Sequence, residues 1–229
     1  EVLKQGGLSG AEIILKKGGT MGDVYMTTDF ARDAEGNIAV DDKKGVLQTN
    51  LNNPLYRGSV LPKANIGFSN EFAWKGFNFG FLITARFGGI VLSQTQAILD
   101  SWGVSKRTAD ARNNGGIEIN GGKISAENYY RIVGGDNPIW SEYIYSATNA
   151  RVQEAHLGYT LPKKWISKWG IDNLRVYVNI QNLLTITGYD GYDPEIGAST
   201  ADINGYTYGL DNGRYPSPTT YSFGLNLTF

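Results

Sequence analysis

Apolar and polar residues alternate one for one along five stretches of this chain. Each stretch runs about 9–12 residues, close to the ~9–11 that a tilted strand needs to cross a bilayer core. The first sets Ala64, Ile66, Phe68, Phe72 and Trp74 against Asn65, Gly67, Ser69, Glu71 and Ala73. The second sets Phe77, Phe79, Phe81, Ile83, Ala85 and Phe87 against Asn78, Gly80, Leu82, Thr84 and Arg86. The third opposes Ala155, Leu157, Tyr159 and Leu161 to Glu154, His156, Gly158 and Thr160. The fourth opposes Leu174, Val176, Val178 and Ile180 to Arg175, Tyr177, Asn179 and Gln181. The fifth opposes Tyr221, Phe223, Leu225, Leu227 and Phe229 to Ser222, Gly224, Asn226 and Thr228. A period of two is the signature of a strand with two unlike faces. Strands of soluble proteins average only about 5–6 residues.

The connections alternate in length. "WKGF" predicts a tight turn that makes a hairpin of the first two stretches. "PKKWISKWGID" joins the third to the fourth, and its Trp165 and Trp169 beside Lys163, Lys164 and Lys168 are placed as interfacial anchors are. The other connections are long, 88–149 and 187–219. Short turns on one side and long loops on the other are the mark of an outer-membrane barrel. Within the first long loop "SQTQAILDSWG" predicts a short helix, with Gln94, Ile98 and Trp102 on neighbouring turns. Residues 1–60 are less regular: "AEIILKKGG", "DVYMTTDF" and "NIAVDD" are β-like, and "DAEGN" is a hairpin turn. They are expected to form one partial strand plus a loop.

Composition narrows the classes. Gly stands at 30 of 229 and Tyr at 14, with no Cys, as in an all-β protein rich in turns. The absence of Cys excludes disulfides and thiolate metal sites. The single His156 excludes a multi-histidine site. A net charge of -1 gives no electrostatic case for nucleic acid. The chain begins without Met or a secretory signal, as expected of a processed or internal piece.

No residue set makes a convincing catalyst, and no enzyme activity is expected. His156 lies on a polar face without a serine and an acid that sequence can place beside it. Asp190, Asp193 and Glu195 in "YDGYDPEIG", and Asp33 and Glu35 in "RDAEGN", sit in Gly- and Pro-marked turns. Their expected role is turn formation. Calcium comes second, because neither stretch completes an EF-hand loop; no other cofactor is expected. The loop aromatics Trp102, Tyr129, Tyr130, Trp140, Tyr143, Tyr145, Tyr206, Tyr208 and Tyr215 either pack the loops together or stack on a substrate or partner.

"LGYTLPKKW", "NLRVYVNIQNLLTITGYDGYDPEIG" and "GRYPSPTTYSFGLNLTF" together resemble the C-terminal barrel of SusC/RagA-type TonB-dependent outer-membrane transporters. The hairpin "LPKANIGFSNEFAWKGFNFGFLITARFGG" resembles it too, so the likeness covers residues 61–229. It implies a barrel of about 22 strands with a plug upstream, a SusD-like surface lipoprotein as lid, and TonB-powered import of oligosaccharides or peptides. Both the plug and the rest of the barrel would lie outside this chain.

The expected fold is therefore the last strands of a transmembrane antiparallel β-barrel in the outer membrane of a Gram-negative bacterium, its C-terminus periplasmic. Glu71, Arg86, Glu154, His156, Arg175, Tyr177 and Gln181 are expected to face the lumen. Phe68, Phe79, Leu157, Val178, Leu225 and Leu227 are expected to face lipid, and Phe229 to serve as the assembly signal. Two rivals are a soluble carbohydrate-binding β-sandwich, which would have shorter strands, and a small stand-alone barrel, which needs three more.

Overall fold

The computed structural model of the protein describes residues 3–41, 43–195, 209–213 and 215–229. The chain divides into two compact units, each assembled from separate stretches.

The first unit comprises Glu1–Pro62, Gly88–Ala147 and Tyr189–Tyr215. Residues 1–60 hold more than one partial strand and a loop. Leu3–Leu8, Ala11–Leu15, Asp23–Phe30 and Gln48–Ser59 form a four-stranded sheet whose pairings are all antiparallel. "DVYMTTDF" is the strand Asp23–Phe30, and its buried residues Val24, Tyr25, Met26 and Phe30 enter the core. The "DAEGN" turn forms as expected: Asp33 Oδ1 accepts from the amides of Glu35 and Asn37.

An all-β description is too narrow for this unit. Three eight-residue helices stand in it, α1 (Gln94–Ser101), α2 (Lys106–Asn113) and α3 (Ala126–Val133). Only α1 is predicted above. Each starts at a serine, Ser93, Ser105 or Ser125, whose hydroxyl accepts from an amide three residues on. Such caps satisfy one of the orphan donors at a helix start. Helix α3 buries Ala126, Tyr129, Tyr130 and Val133, an i, i+3, i+4, i+7 stripe. The core collects these with Met26, Val60, Ile139, Trp140, Tyr143 and Leu210.

The second unit comprises Lys63–Phe87, Thr148–Gly188 and Pro216–Phe229. It is one antiparallel five-stranded sheet built from the five alternating stretches: Ala64–Trp74, Phe77–Phe87, Asn149–Thr160, Asn173–Thr187 and Thr220–Thr228. Their spatial order is their chain order. The first two close through Lys75 and Gly76, both at positive φ (47° and 89°). That pair is the primed hairpin turn whose twist matches the flanking strands, and glycine adopts it without the Cβ penalty. The third and fourth join through a short helix, α4 (Lys163–Ile166), and a 3₁₀ turn, Ser167–Trp169. Buried Ile166 fixes that turn.

Register carries each predicted face across the whole sheet. Phe72, Phe79, Leu157, Val178 and Phe223 form one row, and Glu71, Gly80, His156, Asn179 and Ser222 the next. The alternation is interrupted once, opposite Gln153. There Val152 and Glu154 of the third strand face Ile83 and Leu82 of the second, and Leu184 and Gln181 of the fourth. Asn182 takes up the slack at φ 52°. This bulge returns Val152 to the apolar face and Arg151 to the polar one.

Candidate functional site

The two faces of the five-stranded sheet differ in chemistry. On one, Ile66, Phe68, Phe72, Phe79, Ile83, Leu157, Leu184, Phe223, Leu225 and Leu227 are all exposed. Among the described residues of this unit nothing covers them. Single exposed apolar residues are ordinary, but a contiguous sheet face of them marks contact with another protein or a membrane. Of the residues expected to face lipid, Phe68, Phe79, Leu157, Leu225 and Leu227 are exposed and Val178 is half-buried between Leu157 and Phe223.

The opposite face gathers Glu71, Arg86, Glu154, His156, Arg175, Tyr177 and Gln181. His156 Nε2 lies 2.9 Å from Glu71 Oε1, and its Nδ1 lies 3.9 Å from Glu154 Oε1. The Arg175 guanidinium stands 5.6 Å from the Tyr177 ring centroid. Glu154, His156, Arg175, Tyr177, Asn179 and Asn226 line a shallow depression.

Glycines make this crowding feasible. A Cβ on Gly80 would fall 2.5 Å from His156 and 2.6 Å from Glu71. On Gly158 it would meet Arg175 at 3.0 Å, and on Gly224 the Tyr177 ring at 2.1 Å. Each large polar side chain thus lies over a glycine of the neighbouring strand. The sequence pattern places these glycines on the polar face but does not reveal what they make room for.

The loop aromatics sort by burial. Trp140 and Tyr143 are 1% and 0% exposed, and Tyr129 and Tyr130 are buried with them. All four pack the first unit's core, the first of the two roles the sequence left open for them. Trp140 Nε1 donates to Ser9 O at 2.7 Å. Tyr130 and Tyr143 flank the Arg107 guanidinium, with centroids 5.5 and 4.9 Å away. That guanidinium donates to Asp100, which also accepts from Gln96 Nε2 at 2.8 Å and Ser105 Oγ at 2.5 Å. Burial alone would lower the Arg107 pKa, but its bond to Asp100 and that charge raise it overall. Burial, with Asp100 adding to it, pushes the Tyr143 hydroxyl up. This network locks α1, α2 and α3 together.

Trp102 is different: 80% exposed, it borders a cleft lined also by Thr108, Arg112, Glu127 and Tyr130. Tyr145 is half-buried, with its ring against Tyr189. Tyr206 and Tyr208 lie outside the described residues. Tyr189, missed in the sequence, donates to Asp211 Oδ2 at 2.5 Å, an atom that also accepts from Ser93 Oγ at 3.1 Å. Burial first, then Asp211, pushes the Tyr189 hydroxyl up.

Asp193 Oδ1 accepts from the amide of Glu195 at 3.0 Å, a turn-forming contact. Among the described residues no three His, Cys, Asp or Glu side chains converge as metal ligands. No helix of the described residues is long and apolar enough to cross a membrane, which leaves strands untouched.

No family model matches the chain. TonB-dependent receptor P3 of Formosa agariphila is 31% identical over 201 residues, covering 86% of this chain and 18% of the receptor. TonB-dependent receptor SusC of Bacteroides thetaiotaomicron is 26% identical over 178 residues, covering 75% of this chain and 15% of SusC. The chain therefore spans less than a fifth of the length of these curated relatives. Among solved structures, the RagAB peptide importer in its open-open state superposes with a TM-score of 0.60 at 18% identity, over 100% of this chain and 28% of that one. That likeness is one of fold.

Proposed function

We propose that this chain, a homologue of SusC/RagA-type TonB-dependent receptors, is a wall segment of an outer-membrane importer, with long loops contributing to its extracellular vestibule. The observation that carries this reading is the sheet itself. Its strands run 9–15 residues, one face is apolar and bare, and the other is polar and carries ionisable side chains. In a bilayer that pattern puts Phe68, Phe79, Leu157, Val178, Leu225 and Leu227 against acyl chains. It puts Glu71, Arg86, Glu154, His156, Arg175, Tyr177 and Gln181 against lumen water.

The sheet is open: Ala64–Trp74 and Thr220–Thr228 are its two edges. An open edge in lipid leaves each unpaired backbone group at a cost of several kcal/mol. In this reading further strands of the same barrel pair with both edges, about 22 strands in all. The polar face performs no bond-making. It keeps a wet, charged wall along which a polar oligosaccharide or peptide passes, while a plug, TonB and a SusD-like lipoprotein supply energy and closure. Exposed Trp102, with Arg112 and Glu127 beside it, is the loop position best built to touch substrate or lid.

The test uses the full-length protein in its cell. The protein should fractionate with the outer membrane, and uptake of a labelled oligosaccharide or peptide panel should depend on it and on TonB. Recovery in the aqueous fraction without detergent would instead favour a soluble β-sandwich.

A further inference from the structure

We propose that the short-turn end of the five-stranded sheet is a binding surface for anionic phospholipid headgroups. The inference rests on the membrane reading above and adds a headgroup chemistry to it.

Two turns make this surface. One is Trp74-Lys75-Gly76-Phe77; the other runs from Leu161 to Asp172 through α4. The Thr160 amide donates to Gly76 O at 2.8 Å, so the turns lie side by side. The Phe77 and Tyr159 rings, 4.3 Å apart between centroids, continue the apolar face up to them. Three indoles then stand out: Trp74, Trp165 and Trp169 are 67%, 54% and 71% exposed. An indole with one apolar side and one N–H suits the boundary between acyl chains and headgroups.

The charges beside them are predominantly positive. Lys75, Lys163, Lys164 and Lys168 share the two turns with one acid, Asp172. Asp172 pairs with Lys163 at 2.9 Å, and that bond and charge hold its carboxyl below the usual range. Among the described residues no carboxylate pairs with Lys75, Lys164 or Lys168. Lys75 Nζ stands 5.1 Å from the Trp74 centroid, holding cation and indole together. An apolar sheet ending in three indoles and three unpaired ammonium groups matches a lipid that carries net negative charge at the headgroup. A zwitterionic lipid would leave the lysines uncompensated. An acidic protein would leave the adjoining apolar rows uncovered.

The experiment takes the full-length protein in detergent and offers it phosphatidylglycerol and phosphatidylcholine in equal amounts. Native mass spectrometry counts the lipids retained. Retention of phosphatidylglycerol should exceed that of phosphatidylcholine by at least about tenfold, given the attraction of each lysine near an anionic surface. The K75Q/K164Q/K168Q variant should lose that preference. A salt series on the unaltered protein should weaken it too, a readout that needs no variant to fold. Equal retention of the two lipids, or a preference that survives both the variant and salt, overturns the proposal. If neither lipid is retained and the protein stays in the aqueous phase without detergent, the membrane reading itself falls, and this inference with it.

Discussion

Glu71 and His156 meet at 2.9 Å, Oε1 to Nε2, although the strand Phe77–Phe87 lies between theirs. They reach each other because the residue between them in the row is Gly80. Replacing Gly80 by valine should part the two side chains at a cost of about 1 kcal/mol or less, since a Cβ would strike only the movable tips of both partners. Gly67, on the same face with nothing within 4 Å of its Cβ position, is the control. Gly67→Val should stay within about 0.5 kcal/mol. Unfolding of the full-length protein in detergent measures both.

Charge on the apolar face should be costly in proportion to depth. Ile83 sits midway along Phe77–Phe87, while Phe79 is two residues from its turn. Ile83→Arg should destabilise by about 2–4 kcal/mol, and Phe79→Arg by less. Glu71→Arg, on the polar face, should change stability by under about 1 kcal/mol. Heat-modified migration of the full-length protein on gels reads all three. Equal tolerance on both faces would remove the distinction between them.

The helical part of the first unit turns on Asp100. Fully buried, it accepts from Gln96, Ser105 and Arg107. Asp100→Ala leaves Arg107 among Tyr130 and Tyr143 without its counter-charge. The expected loss is about 3 kcal/mol, seen as faster proteolysis within 88–147 while the five-stranded sheet stays folded.

Glu142 supplies a pH dependence. Burial raises its pKa, against the pull of Arg107. A raised carboxyl binds its proton more tightly when folded, so stability falls as pH climbs from about 4.5 towards the raised value. Glu142→Gln removes that loss. It should stabilise the protein at pH 7 more than at pH 4, by unfolding at the two pH values.

The faces of the sheet were legible because a period of two survives in any strand with unlike surroundings. The row Trp74, Phe77, Tyr159, Val176 and Leu225 keeps to it across all five strands. The bulge at Gln153 was not, because one inserted residue looks like a break in pattern rather than a device that restores it. Helices α2 and α3 were missed behind Gly-Asn turns, though Ser105 and Ser125 stand at their starts as caps. The burial of Trp140 and Tyr143 was hidden for another reason. An aromatic in a loop has the same appearance whether it stacks on a ligand or fills a core assembled from distant segments, here including Met26 and Val60.

The most direct test is a cysteine scan from Leu174 to Gln181 in the full-length protein, reconstituted in bilayers; this chain has no cysteine of its own. Each position is probed with a water-soluble thiol reagent and with a lipid-confined quencher. The account predicts strict alternation: Arg175, Tyr177, Asn179 and Gln181 react with the reagent, and Leu174, Val176, Val178 and Ile180 are quenched from the lipid. Uniform labelling, or apolar positions shielded from both water and lipid, would contradict it.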